Sequence, residues 1–170
     1  MAYCVFRSDL MSSVPQYADL VSVRVYDGTG ANANPIEVEN GVIVKLGGYE
    51  DGQREVIKAT LATSSDKLHE CAIIDGVELM YDERKHRLDE YINEAGKAIR
   101  GRIPRSRNLF SVTKEGFVGG TAPAKGGSVG IGAGGKLDAS GTGVGKCEEI
   151  ETSGAYTYYL IRIGAAEEDE

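Results

Sequence analysis

The chain has 170 residues, a net charge of −7, 41% apolar residues, 23 glycines and no tryptophan. This length holds one domain or two small ones. The acidic balance argues against general nucleic-acid affinity, so no specific nucleic acid is expected as a partner. No apolar run approaches the ~20 residues of a membrane-spanning helix.

Residues 1–20 have no clean period and are interrupted by Pro15, so they read as an N-terminal arm. Its docking side chains would include Tyr3, Phe6, Leu10 and Tyr17. Such an arm is expected to be mobile alone and ordered on a partner, because ordering must be offset by contacts. The start also lacks a basic stretch followed by an apolar core, so no secretory signal is read there.

From Val21 the pattern becomes β, with valines alternating through Val21, Val23 and Val25. Asp27–Pro35 reads as a loop. Ile36–Glu39 and Val42–Leu46 flank Asn40-Gly41, a strong hairpin signal because both residues tolerate positive φ. A strand is expected within Glu55–Ala62, and a second hairpin of Cys71–Ile74 and Val77–Met80 around Asp75-Gly76. Leu88, Tyr91 and Ile92 share one helical face, which predicts a short helix near 83–93. Residues 21–103 thus read as a β-rich domain with one helix.

Residues 104–165 alternate short β runs with glycine turns, the pattern of a small C-terminal β-barrel or sandwich. In Thr157–Ile163 the better core face is Thr157, Tyr159, Ile161 and Ile163, which carries no full charge. The acidic end, residues 166–170, reads as a disordered tail. The fold class is therefore mainly β, a β-rich α+β chain.

The search for chemistry yields little. Gly130, Gly132 and Gly135 match G-x-G-x-x-G, and Gly135-Lys136 nearly completes a phosphate loop. Both motifs need a following helix, and Leu137 stands where a magnesium-binding hydroxyl belongs, so a turn between strands is the better reading. His69 and His86 lack the further ligands a metal site needs. Asp82-Glu83 and Asp89-Glu90 read as salt-bridged surface pairs. Cys4, Cys71 and Cys147 are odd in number and widely spaced, which gives no disulfide framework; Cys71 and Cys147 lie in strand-like runs as inert thiols. No catalytic, cofactor-binding or metal-binding residue is assigned, and no cofactor is expected.

Charge is uneven. Residues 84–107 hold eight Lys/Arg against three Asp/Glu, a net of +5 in an acidic chain. This basic band, with Arg100, Arg102, Arg105 and Arg107 as binding candidates, favours an oriented contact with an acidic surface.

A series of short motifs carries a resemblance. Val38-Glu39-Asn40-Gly41, Glu55–Ala59, Tyr81-Asp82-Glu83-Arg84, Asn93–Lys97, Arg100-Gly101 and Phe110–Thr113 follow one another in an order that resembles small head proteins of tailed phages of Firmicutes. The likeness spans about residues 38–113, with the Lys125-Gly126 turn and the Tyr-rich last strand also similar. It implies a non-enzymatic virion protein, a capsid decoration protein that binds the shell exterior and stabilises it. Its partner would be the major capsid protein, with self-association as a further option. It would be synthesised in the host cytoplasm and reside on the capsid exterior. A tail or baseplate accessory protein and a carbohydrate-binding adhesin are the alternatives, together with a nucleotide-dependent enzyme using Gly130–Lys136.

Overall fold

The computed structural model describes residues 2–11, 20–30, 32–82, 84–85 and 87–164. β-Branched and aromatic runs, cut by Gly, Asn and Asp turns, form the strands. They are β1 (Phe6–Arg7), β2 (Leu20–Tyr26), β3 (Ile43–Tyr49), β4 (Val56–Leu61), β5 (Cys71–Ile74) and β6 (Ile99–Arg102), then β7 (Leu109–Val112), β8 (Ser128–Ile131), β9 (Leu137–Asp138), β10 (Gly143–Ser153) and β11 (Tyr156–Ile163). The protein is mainly β, with a closed five-stranded barrel and a separate sheet.

The barrel closes in the order β2-β4-β3-β5-β6. β2 and β4 are parallel, and the other neighbours are antiparallel. Closure leaves these strands no open edge. The second sheet has the order β1-β7-β11-β10-β8-β9, antiparallel throughout.

Period-two alternation fixes what each strand buries. In β2, Val23 and Val25 point into the barrel, where they meet Val44, Ala59, Ala72, Ile74 and Ile99. β5 has no polar member, and all four of its residues are buried. Ala72 and Ile74 fill the barrel, while Cys71 and Ile73 belong to a second core shared with the sheet. β3 divides likewise, with Val44 inside and Ile43 outside. Ile43, Ala62, Cys71 and Ile73 there join Phe110, Val112, Leu137, Val144 and Ile161. In β11, Ile161 and Ile163 are buried on the expected face and Tyr159 packs against the core, but Thr157 is exposed and Tyr158 is buried.

Several expectations need correction. The closed barrel is built from residues 20–102, and residues 104–164 form the open sheet together with β1. No α-helix occurs among the described residues; the 83–93 segment contains one 3-10 turn, Leu88–Glu90. Three apolar residues offer too little burial to sustain a short helix, and Asn93 instead pairs its backbone with Val38. Asn40-Gly41 is a turn and Asp75-Gly76 is irregular, and neither joins two regular strands, because residues 36–39 and 77–80 form none.

The arm reading also changes for residues 2–11. Phe6 is only 6% exposed and packs on Phe110 with ring centroids 5.7 Å apart. Cys4, Val5 and Met11 are buried too. Val5 and Thr113 exchange two hydrogen bonds: the Val5 N–H donates to Thr113 Oγ1 at 3.2 Å, and the Thr113 N–H donates to the Val5 carbonyl at 3.1 Å. Of the described side chains that read as docking groups, Phe6 is a core residue of β1, Tyr3 is half-buried and Leu10 is exposed. The remainder of the proposed arm, including Tyr17, and the acidic tail at 166–170 lie outside the described residues.

Because β5 serves both cores, Ile73→Ala is expected to cost about 2–5 kcal/mol. It should lower the stability of barrel and sheet together in one denaturant transition. Leu10→Ala, at a side chain 53% exposed, should stay within about 0.5 kcal/mol. Urea unfolding followed by tyrosine fluorescence and far-UV dichroism checks both; two separated transitions would contradict the shared core.

Candidate functional site

The segment after β5 is organised by two buried asparagines. Asn93 and Val38 pair their backbones. The Asn93 Nδ2 donates to the Val38 carbonyl and to Asn40 Oδ1, both at 2.9 Å. Asn40 Nδ2 donates to the Gly76 carbonyl at 3.0 Å, and the Gly76 N–H returns to Asn40 Oδ1 at 2.9 Å. Tyr91 completes the set through its hydroxyl, 3.0 Å from Asn93 Oδ1. Residue 76 must be glycine, because a Cβ there would overlap the Asn93 side chain.

The adjacent Asp75 is buried and takes both Arg100 and Arg102. Arg102 Nε donates to Asp75 Oδ2. Arg100 approaches the same oxygen at 3.2 Å and donates through Nε to the Asp75 carbonyl at 2.8 Å. A buried carboxylate requires such compensation, since desolvation otherwise penalises its charge.

These anchors hold the start of the 77–82 segment, and its side chains alternate. Glu78 turns inward, 3.4 Å from Asn40 Nδ2. Desolvation is the main cause that raises its carboxyl pKa; Asn40 opposes the shift and the nearby Asp75 charge adds to it. Val77, Leu79 and Tyr81 turn outward and are 56%, 62% and 90% exposed. This is the reverse of a core strand, with the acid inside and the apolar row in water. A groove of about 490 Å³ runs beside the row, with Tyr91, Lys97 and Arg100 also on its walls. Clustered apolar exposure of this kind marks protein-interaction surfaces.

The basic band is largely neutralised locally. Arg84 forks onto Asp82 at 3.0 and 2.9 Å, and Lys97 meets Glu94 at 2.7 Å. Arg87 meets the buried Asp89 at 2.7 Å, and Tyr156 donates to the other oxygen of Asp89 at 3.1 Å. Arg100 keeps a place at the groove wall, whereas Arg102 is mostly withdrawn behind Asp75. Arg105 and Arg107 flank the turn into β7: the Arg105 N–H donates to Asn108 Oδ1, and the Arg107 N–H to the Ile163 carbonyl. Tyr3 is half-buried and donates its N–H to the Asp89 carbonyl, so of the arm candidates that are described only Leu10 is left on the surface.

Other leads resolve structurally. The glycine run at 130–136 covers the end of β8 and the 3-10 turn Ala133–Gly135 before β9, and Lys136 Nζ is spent on Glu39 at 3.1 Å and the Glu115 carbonyl at 2.9 Å. Burial pushes the Cys4 and Cys71 thiols up to about 12, so they are unreactive at neutral pH. Among the described residues no three His, Cys, Asp or Glu converge as metal ligands. A second groove of about 650 Å³ lies between residues 64–69 and the ends of β8, β10 and β11. Two of its carboxylates are engaged: Asp66 with Lys45 at 2.7 Å, and Glu148 with Arg162 at 3.1 Å. Comparison with protein families, with curated proteins and with solved structures finds no match to this chain.

The outward row was the feature that sequence reading missed. Val77, Leu79 and Tyr81 alternate like a half-buried strand, and the missing information was that no strand among the described residues pairs with them.

Asn40→Ala would strand the Gly76 N–H, the Gly76 carbonyl and an Asn93 amide proton, and is expected to cost about 3 kcal/mol. Glu78→Gln has a pH signature. A raised carboxyl pKa in the fold means stability is lost as pH rises through that pKa. The Gln variant should therefore gain stability relative to the parent above that pKa, and the difference should flatten below pH 4.5, the ordinary glutamate value. Chemical denaturation from pH 3.5 to 8 measures it; a pH-independent difference would mean Glu78 is not desolvated.

Proposed function

We propose that the chain is a non-enzymatic capsid decoration protein, bound to the outer surface of a tailed-phage capsid and stabilising it. The observation that carries this reading is the rigidly presented apolar row Val77-Leu79-Tyr81 beside a groove edged by Lys97 and Arg100. Exposed apolar side chains cost a free protein solubility, so their retention on an anchored segment fits a standing partner. The order of short motifs, which resembles that of small head proteins of tailed phages, suggests the major capsid protein as that partner. In this reading the row supplies apolar contact area, and rim charges set orientation. Each exposed cation contributes only about 0–1 kcal/mol alone.

Attachment would rest on the row first and on Arg100 second. Arg102 is expected to matter for folding through Asp75, so its loss should lower stability before it touches binding. Co-sedimentation of purified variants with undecorated capsids tests this. Leu79→Asp and Tyr81→Ala should each weaken binding at least tenfold with unchanged melting, and Arg100→Ala should weaken it less and in a salt-sensitive way. Undecorated capsids should assemble and should rupture at lower temperature than decorated ones. Undiminished binding by the Leu79→Asp variant would remove the row from the interface; failure of the intact chain to bind any capsid would remove the function.

A further inference from the structure

The β10–β11 hairpin outruns the sheet that supports it. β8 accompanies β10 only from Gly143 to Lys146, and Gly126 and Gly127 then take over the pairing at Cys147. Beyond that point no described residue pairs with that side of β10, and residues 149–155 are all exposed. The ribbon is exposed along this part of β10, while Tyr158 of β11 is buried on one face, and a two-stranded ribbon is marginal by itself. This one is held at its base and by its turn. Gly154 has φ +62° at the first turn position and no positive φ follows at Ala155, the pattern of a II′ hairpin turn.

The register identifies which backbone groups face outward. Ser153 pairs with Tyr156 across the two-residue turn, which makes Thr152 and Thr157 a non-hydrogen-bonded pair. Their hydroxyls, 3.2 Å apart, fit that closer spacing. Thr152 and, two residues earlier, Ile150 therefore direct N–H and C=O away from β11. The Ile150 N–H is already occupied, by the carboxylate of Glu149 at 3.2 Å, and Lys125 holds that carboxylate in turn. Thr152 keeps its donor and acceptor open. Natural edges are usually blunted by bulges, charges or cover; here a bulge at Cys147–Glu149 and the Glu149 cap protect one end and leave the tip unprotected.

We propose that the outer edge of β10 at residues 149–153 receives an extended segment of another protein by strand addition, and that this segment carries Lys or Arg at alternate positions. Main-chain hydrogen bonds to Thr152 and to the Ile150 carbonyl supply affinity, and the alternating side chains supply selectivity. Glu149, Glu151 and Ser153 share one face, and Glu151 has no ion pair among the described residues, so basic side chains match that face. Ile150 and Thr152 share the other face, where small apolar side chains fit. A second copy of this chain is disfavoured. The antiparallel register that uses both outward residues sets Glu151 against the other copy's Glu151, and like charges directly opposite are destabilising.

The test uses the isotope-labelled full chain and a blocked Lys-Val-Lys-Val-Lys peptide, with Glu-Val-Glu-Val-Glu as its counterpart; neither involves a capsid, so the outcome is independent of the function proposed above. The basic peptide should shift the Thr152 amide resonance and slow its hydrogen exchange at least tenfold, and the acidic peptide should do neither. Thr152→Pro removes only an outward donor, which an edge position tolerates, and should abolish the effect while the contacts between β10 and β11 persist. Glu151→Lys, at an exposed site, should reverse the peptide preference and serves where the proline variant fails to fold. No slowing at millimolar basic peptide, equal binding of both peptides, or binding undiminished in Thr152→Pro each overturns the proposal.

Discussion

The structure depends on one strand being buried on both faces. β5 is four residues long, all apolar or sulfur-bearing, and each face completes a different core. A five-stranded barrel of this size has a thin interior, filled here mainly by valine, alanine and isoleucine. The sheet supplies the larger aromatic content through Phe6, Phe110 and Phe117. Neither layer buries much alone, and small domains are marginal for that reason. Sharing Ile43, Cys71 and Ile73 removes the outer face of the barrel from water and covers one face of the sheet in the same step. The N-terminal residues enter the same argument. Phe6 reaches this core through two ladder residues of β1, and Cys4 and Met11 close it on either side.

A doubly buried strand must end abruptly, and the polar frame after Ile74 explains how. Asp75, Gly76, Asn40 and Asn93 lie where the chain leaves the core, and the two asparagine amides, the Gly76 backbone and Asp75 Oδ2 find partners there. Buried amide and carboxylate networks are costly when half-satisfied and rigidifying when complete. This one is complete enough to dictate direction. Glu78 is drawn inward by Asn40, and alternation then sends Val77, Leu79 and Tyr81 outward. The exposed row thus follows from buried hydrogen bonds that lie next to it, not from any preference of those side chains for water.

Legibility in the sequence followed the range of the interactions. β2, β4, β5 and β11 were readable because alternation and β-branching are local. Barrel closure was not readable, since the parallel contact of β2 with β4 leaves no local mark. The helix expected near 83–93 failed because three apolar residues at helical spacing also suit an irregular segment pinned by Asn93 and Asp89. The arginine candidates illustrate the same limit. Arg100 and Arg102 look like surface charges in sequence, and only the fold brings Asp75 under both. Phe6 and Tyr3 read as arm residues because their partners, Phe110 and Asp89, lie about a hundred and about ninety positions away.

Asp89 ties the two candidate surfaces to one frame. Its carboxylate holds Arg87 and the Tyr156 hydroxyl, and its carbonyl accepts from Tyr3. Tyr156 is the first residue of β11, directly after the hairpin turn, so Asp89 steadies the tip of the hairpin on its β11 side. The segment from 77 to 89 is consequently fastened at both ends, by the asparagine pair before the apolar row and by Asp89 after it. Fastening of this kind matters for association. Ordering a loose loop at an interface costs about 0.5–1.5 kcal/mol per immobilised side chain, and that cost is avoided where the free protein already holds the bound geometry. The row and the hairpin therefore represent two forms of one solution: surface groups left without partners of their own, held in place by buried polar contacts whose satisfaction does not depend on what binds.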